Sequence, residues 1–500
     1  MKREKVIVRL VLCLVLASVT IVGRAPLIAR GPLSIGPQGL VNAAPNYSPS
    51  SKYHVVVGHQ FAGVGNPCGV NCVPPDVQVA AGIDASGMTH VVEMVNTLGE
   101  IFSVSGTVEG TLSLPSIFGT GTDFISDPKI IFDSSSVRWY ASITGCAGAS
   151  CNINTNGYTV LVMSHYKDPF NWYPGWRVNM GVSFFSDQPK VGISDDKVVL
   201  SSNEWQFTSP SQRAYLGAFL TVYNLNDMTS NPTQPPRYRN IGPLSNVAFV
   251  FPVHDLTYGS TTQYLVSTWS PNGYPFCDSN FGSAYVAVYI VTGVPPNTQS
   301  TSTVVQLPQP NGVQSFLSSP PNAPQRNQTA PLIDTGNCRV QDAIYWNHKI
   351  WLSANDACTP SNDNTVRSCI QIIQMDVSQS PFQINQDFDL GYPNYYLFYP
   401  ALRLNNSGDL SMVFGYSSTL DDPSIAVAGH GHDDQAATMT SDKVILGTGA
   451  GVGACSDNRY GDYFGAGLDP GGTLVWVAGE LYSSTTHTWA TSLASMQLST

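Results

Sequence analysis

A hairpin unit recurs seven times along this 500-residue chain, and that recurrence limits the fold more than any other feature. Its clearest copy lies between Asn458 and Tyr482, where Asn-Arg-Tyr-Gly-Asp-Tyr-Phe-Gly-Ala-Gly-Leu-Asp leads into a turn at Pro470-Gly471-Gly472-Thr473. The turn is followed by Leu-Val-Trp-Val-Ala-Gly-Glu, apolar on both faces of a strand. A half-buried strand, a polar turn and a fully apolar strand make one supersecondary unit. Upstream copies begin at Asp76, Asp127, Asp187, Phe251, Arg339 and Tyr399. A third strand is legible in most units, for example Tyr158–Met163 and Ile370–Met375.

Repeats of this kind stack radially, so the pattern predicts an all-β, seven-bladed β-propeller. A six-bladed ring and a pair of β-sandwiches are the alternatives. The last unit ends at Thr500 after one strand near Thr488–Met496, and a lone strand at Tyr53–His59 has no hairpin partner. That strand is expected to complete the last blade and remove its edge. Residues 53–500 then form a single domain. Residues 24–52, rich in Pro, Gly, Ala and Ser, read as a linker.

Residues 1–23 start with Met1-Lys-Arg-Glu-Lys5 and continue into an apolar run from Leu10 to Val22. This reads as a signal peptide, with a retained N-terminal anchor as the alternative. No later stretch is apolar enough to cross a membrane, so the rest is expected to be secreted or held at the cell surface. Residues 1–30 carry six Lys/Arg and one Glu, so their removal takes the net charge from −11 to about −16. Such a surface argues against nucleic acid and anionic membranes, and suits an extracellular glycan or protein partner.

Cys13 lies in the apolar leader, leaving nine of the ten cysteines. Close spacing predicts disulfides Cys68–Cys72, Cys146–Cys151 and Cys358–Cys369, with Cys277–Cys338 as the fourth and Cys455 free.

In a propeller the entry of each inner strand and the exit of the second strand share one face. That rim collects Asp127, Asp187, Asn203, Trp205, Trp269, Arg339, Asp356, Arg459, Asp462 and Tyr482 as ligand-binding candidates. Carboxylates, amides and aromatics together suit a carbohydrate or a cation. Alternatively, the Asp residues cap blade-to-blade turns by accepting backbone N–H groups. Asp462 in particular is expected to lock the ring through backbone N–H groups or an arginine from another blade. Candidates for catalysis are Asp187, Glu204, Glu480 and Tyr463. Only five Glu follow the leader, which thins the acid/base choices.

The ending Arg459-Tyr-Gly-Asp-Tyr…Asp469-Pro…Trp476, with Asp127-Pro-Lys-Ile and Asp187-Gln-Pro-Lys-Val upstream, resembles secreted sialidase-like propeller proteins of bacteria and archaea. The likeness spans residues 53–500 as a pattern, and the family usually has Trp where this chain has Tyr460. It implies a propeller and an extracellular glycan-directed role. True sialidases carry Asp boxes, and the nearest approach here, Gly467-Leu-Asp-Pro-Gly-Gly-Thr-Leu474, lacks the leading Ser and the Trp. The resemblance also asks for three arginines on one carboxylate and a Tyr–Glu pair. Arg339, Arg403 and Arg459 lie on different blades, while Tyr463 and Glu480 are available to pair.

Gly429-His-Gly-His-Asp-Asp434 is the one sequence suited to a cofactor, a divalent cation held by His430, His432 and Asp433. A flexible polar loop explains it equally. Asn46, Asn327 and Asn405 occupy glycosylation sequons, which is consistent with surface exposure and informative only where the host glycosylates. Two functions follow. The first is a binding or interaction module at the cell exterior; the alternative is a glycoside hydrolase or lyase using rim carboxylates.

Overall fold

Successive side chains of a strand point to opposite faces, so a strand apolar at every position must be covered on both. Val198, Val199 and Leu200 are all buried in this way. Seven four-stranded antiparallel units, each packed between two others, satisfy that demand. The computed structural model describes residues 51–500 except 67–73, 97, 272, 274, 278–281, 310–314, 327–331, 441–442, 452–458 and 483–487. The leader and most of the linker, Cys68, Cys72, Cys455 and the sequons at Asn46 and Asn327 lie outside the described residues.

The chain is a seven-bladed β-propeller. Blade 1 runs from an inner strand Gln78–Ile83 through Thr89–Met94 and Gly99–Ser103 to an outer strand Val108–Leu112. Blade 2 has Phe124–Asp133, Arg138–Cys146, Asn156–His165 and Trp176–Val182, with Asp168–Trp172 added at its side. Blade 3 has Phe184–Ser194, Lys197–Ser209, Gln212–Asn224 and Tyr238–Leu244. Blade 5 has Val340–Trp346, Lys349–Cys358, Arg367–Asp376 and Gln383–Leu390, and blade 6 has Tyr396–Leu404, Leu410–Ser417, Ser424–His430 and Val444–Gly447.

Blade 4 departs from the repeat. Its inner strand Phe251–Pro252 pairs with Gln263–Thr268, followed outward by Tyr285–Thr292 and Gln299–Gln306. Two residues later His254–Asp255 leaves the blade and pairs in parallel with Ile344 and Tyr345 of blade 5. Blade 7 takes Gly465–Leu468, Val475–Tyr482 and Trp489–Ser499 from the C-terminal end. Its outer strand is His54–Gly65, antiparallel to Trp489–Ser499, with His54 opposite Ser499 and Gly65 opposite Ala490.

The apolar core is distributed between blades. One cluster links blades 1 and 2 through Val92, Ile130 and Trp139, and another links blades 5 and 6 through Ile372, Phe388 and Met412. The largest joins blades 6, 7 and 1, where Trp476 and Trp489 are fully buried. Helix is confined to Leu114–Ile117 and Leu225–Ser230 among the described residues, and none is long and apolar enough to cross a membrane.

Among the described residues three disulfides form: Cys146–Cys151 closes the hairpin end of blade 2, Cys277–Cys338 ties a blade 4 loop to the entry of blade 5, and Cys358–Cys369 staples neighbouring strands of blade 5. Asn405 corrects the expectation of exposed sequons. It is buried, and its amide nitrogen donates to Asp409 Oδ2 at 3.1 Å.

Candidate functional site

Inner strands begin with a left-handed residue that is not glycine in five blades: Asp76, Asp127, Gln188, Phe249 and Tyr399 have φ between 46° and 56°. For side chains as large as Phe and Tyr this conformation is costly, on the order of 1–3 kcal/mol. In blades 2, 3 and 6 the residue sits in a bulge, between Ser126 and Lys129, Asp187 and Lys190, and Phe398 and Ala401. Pro128, Pro189 and Pro400 come next, where the ladder needs no donor.

A side chain from another blade holds most of these strained entries. Asn96 Oδ1 accepts the Asp127 N–H at 2.8 Å, and Asp127 Oδ2 accepts the Gln188 N–H at 3.1 Å. Asn203 Oδ1 takes the Phe249 N–H at 2.8 Å, and Asn355 Oδ1 takes the Tyr399 N–H, also at 2.8 Å. Asp76 Oδ1 accepts the Asp462 N–H at 2.9 Å, which joins blade 7 to blade 1. Asp76 is itself held by the Asn96 amide at 2.8 Å. Much of the polar rim is therefore a set of blade-to-blade clasps.

Asp462 sits at the centre. Arg339 Nη2 donates to its Oδ1 at 3.3 Å and to its backbone carbonyl at 3.1 Å, and Arg459 pairs with Oδ2. Burial works to raise the Asp462 pKa, but Arg459 and then Arg339 hold it below the usual carboxylate range. Its neighbours behave oppositely. Burial pushes Asp76 up to about 7, with repulsion from Asp462 and Asp127 adding to it. Asp127 is pushed up to about 7 by burial and by Asp187 and Asp462.

Asp187 differs from all of these. It is half-buried, and among the described residues its carboxylate has neither a hydrogen bond nor an ion pair. Burial and then Asp462 raise its pKa, while Arg213, Arg339 and Lys190 oppose the rise through space. Beside it stands an aromatic wall. Phe185 pairs across the sheet with Trp205, which stacks on Phe276 at 5.5 Å and leans on Tyr215 at 5.0 Å. Arg213 lies over Phe185 and Phe207 at 5.6 and 5.2 Å, and Arg339 over Phe249 at 4.8 Å.

The structure does not bring the other candidates together. Among the described residues Tyr463 Oη and Glu480 Oε2 both lack hydrogen-bond partners, so they do not form a bonded Tyr–Glu pair. Arg403 lies deep in the channel, bound to Asp342 at 2.9 Å, away from the Arg339 and Arg459 grouping on Asp462. Glu204 is fully buried, bonded by Ser202 at 2.6 Å and Ser186 at 2.9 Å, and burial pushes it up to about 7.

Asp356 is also buried, accepting the Ala357 N–H at 2.7 Å, and Tyr482 is buried in the core joining blades 6, 7 and 1. Neither reaches the rim surface. Trp269 is half-buried, edge-on to Tyr285 at 5.4 Å.

The three cation candidates are committed elsewhere. His430 is buried with Nδ1 at 2.6 Å from the Thr438 carbonyl. His432 Nδ1 is 2.7 Å from Asp409, and Asp433 accepts Tyr53 Oη and Lys52 Nζ, each at 2.7 Å. Among the described residues no three His, Cys, Asp or Glu side chains converge as a metal cage.

No family model matches this chain, and no curated protein does. Among solved structures it is similar to a Dyadobacter fermentans protein of unknown function, at 11% identity over 76% of this chain and 96% of that one, with a TM-score of 0.37. It is also similar to a variant of the Synechocystis apocarotenoid oxygenase, at 9% identity over 77% and 73% of the two chains, with a TM-score of 0.40. A Hadza microbial sialidase is similar at 10% identity, over 84% of this chain and 65% of that one, with a TM-score of 0.38. With all three TM-scores below 0.5, the site has to be read from its own residues.

Several of those residues escaped the reading of the sequence: Asn96, Arg213, and the inward-facing Lys129 and Lys190. The repeated Pro-Lys at 128–129 and 189–190 was the available signal, a lysine inside an otherwise apolar strand.

Proposed function

We propose that the protein is an extracytoplasmic binding module that holds a polyhydroxylated ligand, of the glycan type, over the channel mouth between blades 2 and 4. The observation that carries this reading is Asp187, an open carboxylate left unpaired while Asp76, Asp127 and Asp462 are spent on clasps and ion pairs. A carboxylate accepts two sugar hydroxyls readily, and the Trp205 wall beside it offers an apolar face for a pyranose ring. Arg213 supplies donors on the same side. The three disulfides support a location outside the cytoplasm.

A hydrolytic reading rests on the same residue, because a carboxyl with a raised pKa is suited to donate a proton. The lack of a Tyr463–Glu480 bond and the engagement of Arg339 and Arg459 with Asp462 count against it. A glycan array run beside a screen of chromogenic glycosides tests both. The binding reading expects retention of a glycan class by the parent protein, loss of that retention in Asp187→Ala, and no turnover. Turnover abolished by Asp187→Ala would replace it with the hydrolytic one.

A further inference from the structure

Below the mouth, the channel narrows to a cavity of about 20 Å³, large enough for one water-sized guest. Its lining includes Lys129, Lys190, Gln341, His254, Asp342 and Arg403, each no more than 8% exposed. Blades 2 and 3 deliver the two lysines from equivalent positions, two residues past the strained entry residue.

Burial pushes both lysines down, Lys129 with help from Lys190 and Lys190 to about 7 with help from Arg339. Keeping both as ammonium groups at this depth therefore requires a counter-charge, since an uncompensated buried ion costs several kcal/mol. Direct neutralisation is missing. Among the described residues neither lysine has a carboxylate within 4.0 Å. Lys129 Nζ instead lies 3.1 Å from the Tyr463 ring centroid, and Lys190 Nζ lies 5.5 Å from that of Phe251. Aromatic faces attract a cation but carry no net charge.

The lining carboxylate is already spent. Asp342 Oδ1 accepts the Ala343 N–H at 2.9 Å, Oδ2 accepts the Leu402 N–H at 2.9 Å, and Arg403 Nη1 reaches both oxygens. The mouth carboxylates that act on Lys129 through space, Asp76 and Asp127, hold the backbone N–H groups of Asp462 and Gln188. Asp187, Asp127 and Asp462 act on Lys190 through space, from beyond ion-pair distance. One further donor waits in the wall. The Gln341 amide nitrogen is buried, belongs to a lining residue and has no acceptor among the described residues.

We propose that this cavity is a binding site for one halide-sized inorganic anion, chloride in a saline medium, held by Lys129, Lys190 and Gln341. The volume excludes a sugar or a nucleotide, and the donors suit an acceptor without protons of its own. The anion would tie blades 2, 3 and 5 together across the axis, independently of any ligand at the mouth.

The test uses the full chain in chloride-free sodium gluconate, with gluconate replaced by chloride or bromide at constant ionic strength. The expected result is a melting temperature that rises by a few degrees and saturates. Bromide-grown crystals should show an anomalous peak between the two lysines. Lys190→Met should lose the halide response. Equal melting in gluconate and chloride for the parent protein, with no bromide peak in the channel, would overturn the site. So would an undiminished response in Lys190→Met, which would mark a general salt effect. If Lys190→Met does not fold, the parent's bromide peak and halide response decide the matter.

Discussion

Asp76 Oδ1 accepts the backbone N–H of Asp462 at 2.9 Å across 386 residues of sequence, joining the first blade to the last. The same Asp462 carboxylate lies between Arg339 of blade 5 and Arg459. Ring closure at the mouth is therefore polar, as it is apolar below in the core shared by blades 6, 7 and 1.

The two carboxylates of this junction should respond differently to amide substitution. Asp76→Asn keeps an acceptor for the Asp462 N–H but sets its own NH2 against the Asn96 amide, an expected loss of about 1 kcal/mol, whereas Asp76→Ala orphans both donors and should cost more, about 2–3 kcal/mol. Asp462→Asn leaves Arg339 and Arg459 facing each other without their carboxylate, an expected loss of about 3–5 kcal/mol. Denaturant unfolding of the three variants checks the order. An Asp462→Asn protein as stable as the parent would show that the arginines have other partners of equal strength.

The clasp itself is testable at Asn355. Replacing it with Ala removes the acceptor for Tyr399 N–H, and the left-handed φ of 54° at Tyr399 then has less to hold it. A loss of about 1–3 kcal/mol is expected. Asn355→Asp keeps an oxygen in place and should recover part of it. Chemical denaturation of the pair reads the difference.

Much of the ring was legible in the sequence because burial on both faces leaves a local trace: runs such as Val198-Val-Leu200 need no knowledge of their partners. The clasps were half legible. Asp127 and Asn203 stand out as polar residues at strand entries and exits, but nothing local distinguishes them from Asp187, which has no clasp to hold. That distinction depends on which oxygen meets a backbone N–H of another blade. Asp356 and Tyr482 occupy the expected strand positions, yet neighbouring loops and blades bury them. The loop at His430, His432 and Asp433 has metal-like spacing, while its actual partners include Tyr53 and Lys52, some 380 residues away.

Buried acids predict how stability varies with pH. Burial pushes Glu93, Asp76, Asp127 and Glu204 up to about 7. Each binds its proton more tightly when folded, so its contribution is fully present below the unfolded pKa near 4 and is lost as pH rises through about 7. Stability should therefore decline between about pH 4.5 and 7. Lys190 works in the opposite sense: burial pushes it down to about 7, so the unfolded state binds its proton more tightly and stability rises as pH increases above about 7. Glu93 is the cleanest probe, because Oε2 accepts the Val64 N–H at 2.8 Å and Oε1 has no hydrogen-bond partner among the described residues. Glu93→Gln should make the decline shallower in melting curves recorded across this range. A flat parent profile would contradict the expectation.

The loop Gly429–Asp434 holds the start of the closing strand, and Gly431 is where this can be broken cleanly. Asp433 accepts Tyr53 Oη at 2.7 Å, Asp434 accepts Ser51 Oγ at 2.7 Å, and the Tyr53 ring packs directly on Gly431. A Cβ at 431 would overlap the Tyr53 ring, with no room for both. Gly431→Ala should therefore expel Tyr53 and free the first residues of His54–Gly65, while Glu93 and Thr491 still bind the far end at Val64. Hydrogen exchange should speed up at residues 54–57 and change little at residues 61–65. Tyr53→Phe, which removes the hydroxyl but keeps the ring, should give a smaller effect in the same direction. Uniform exchange along the strand in Gly431→Ala would mean that the strand docks as one unit and that the loop is not its catch.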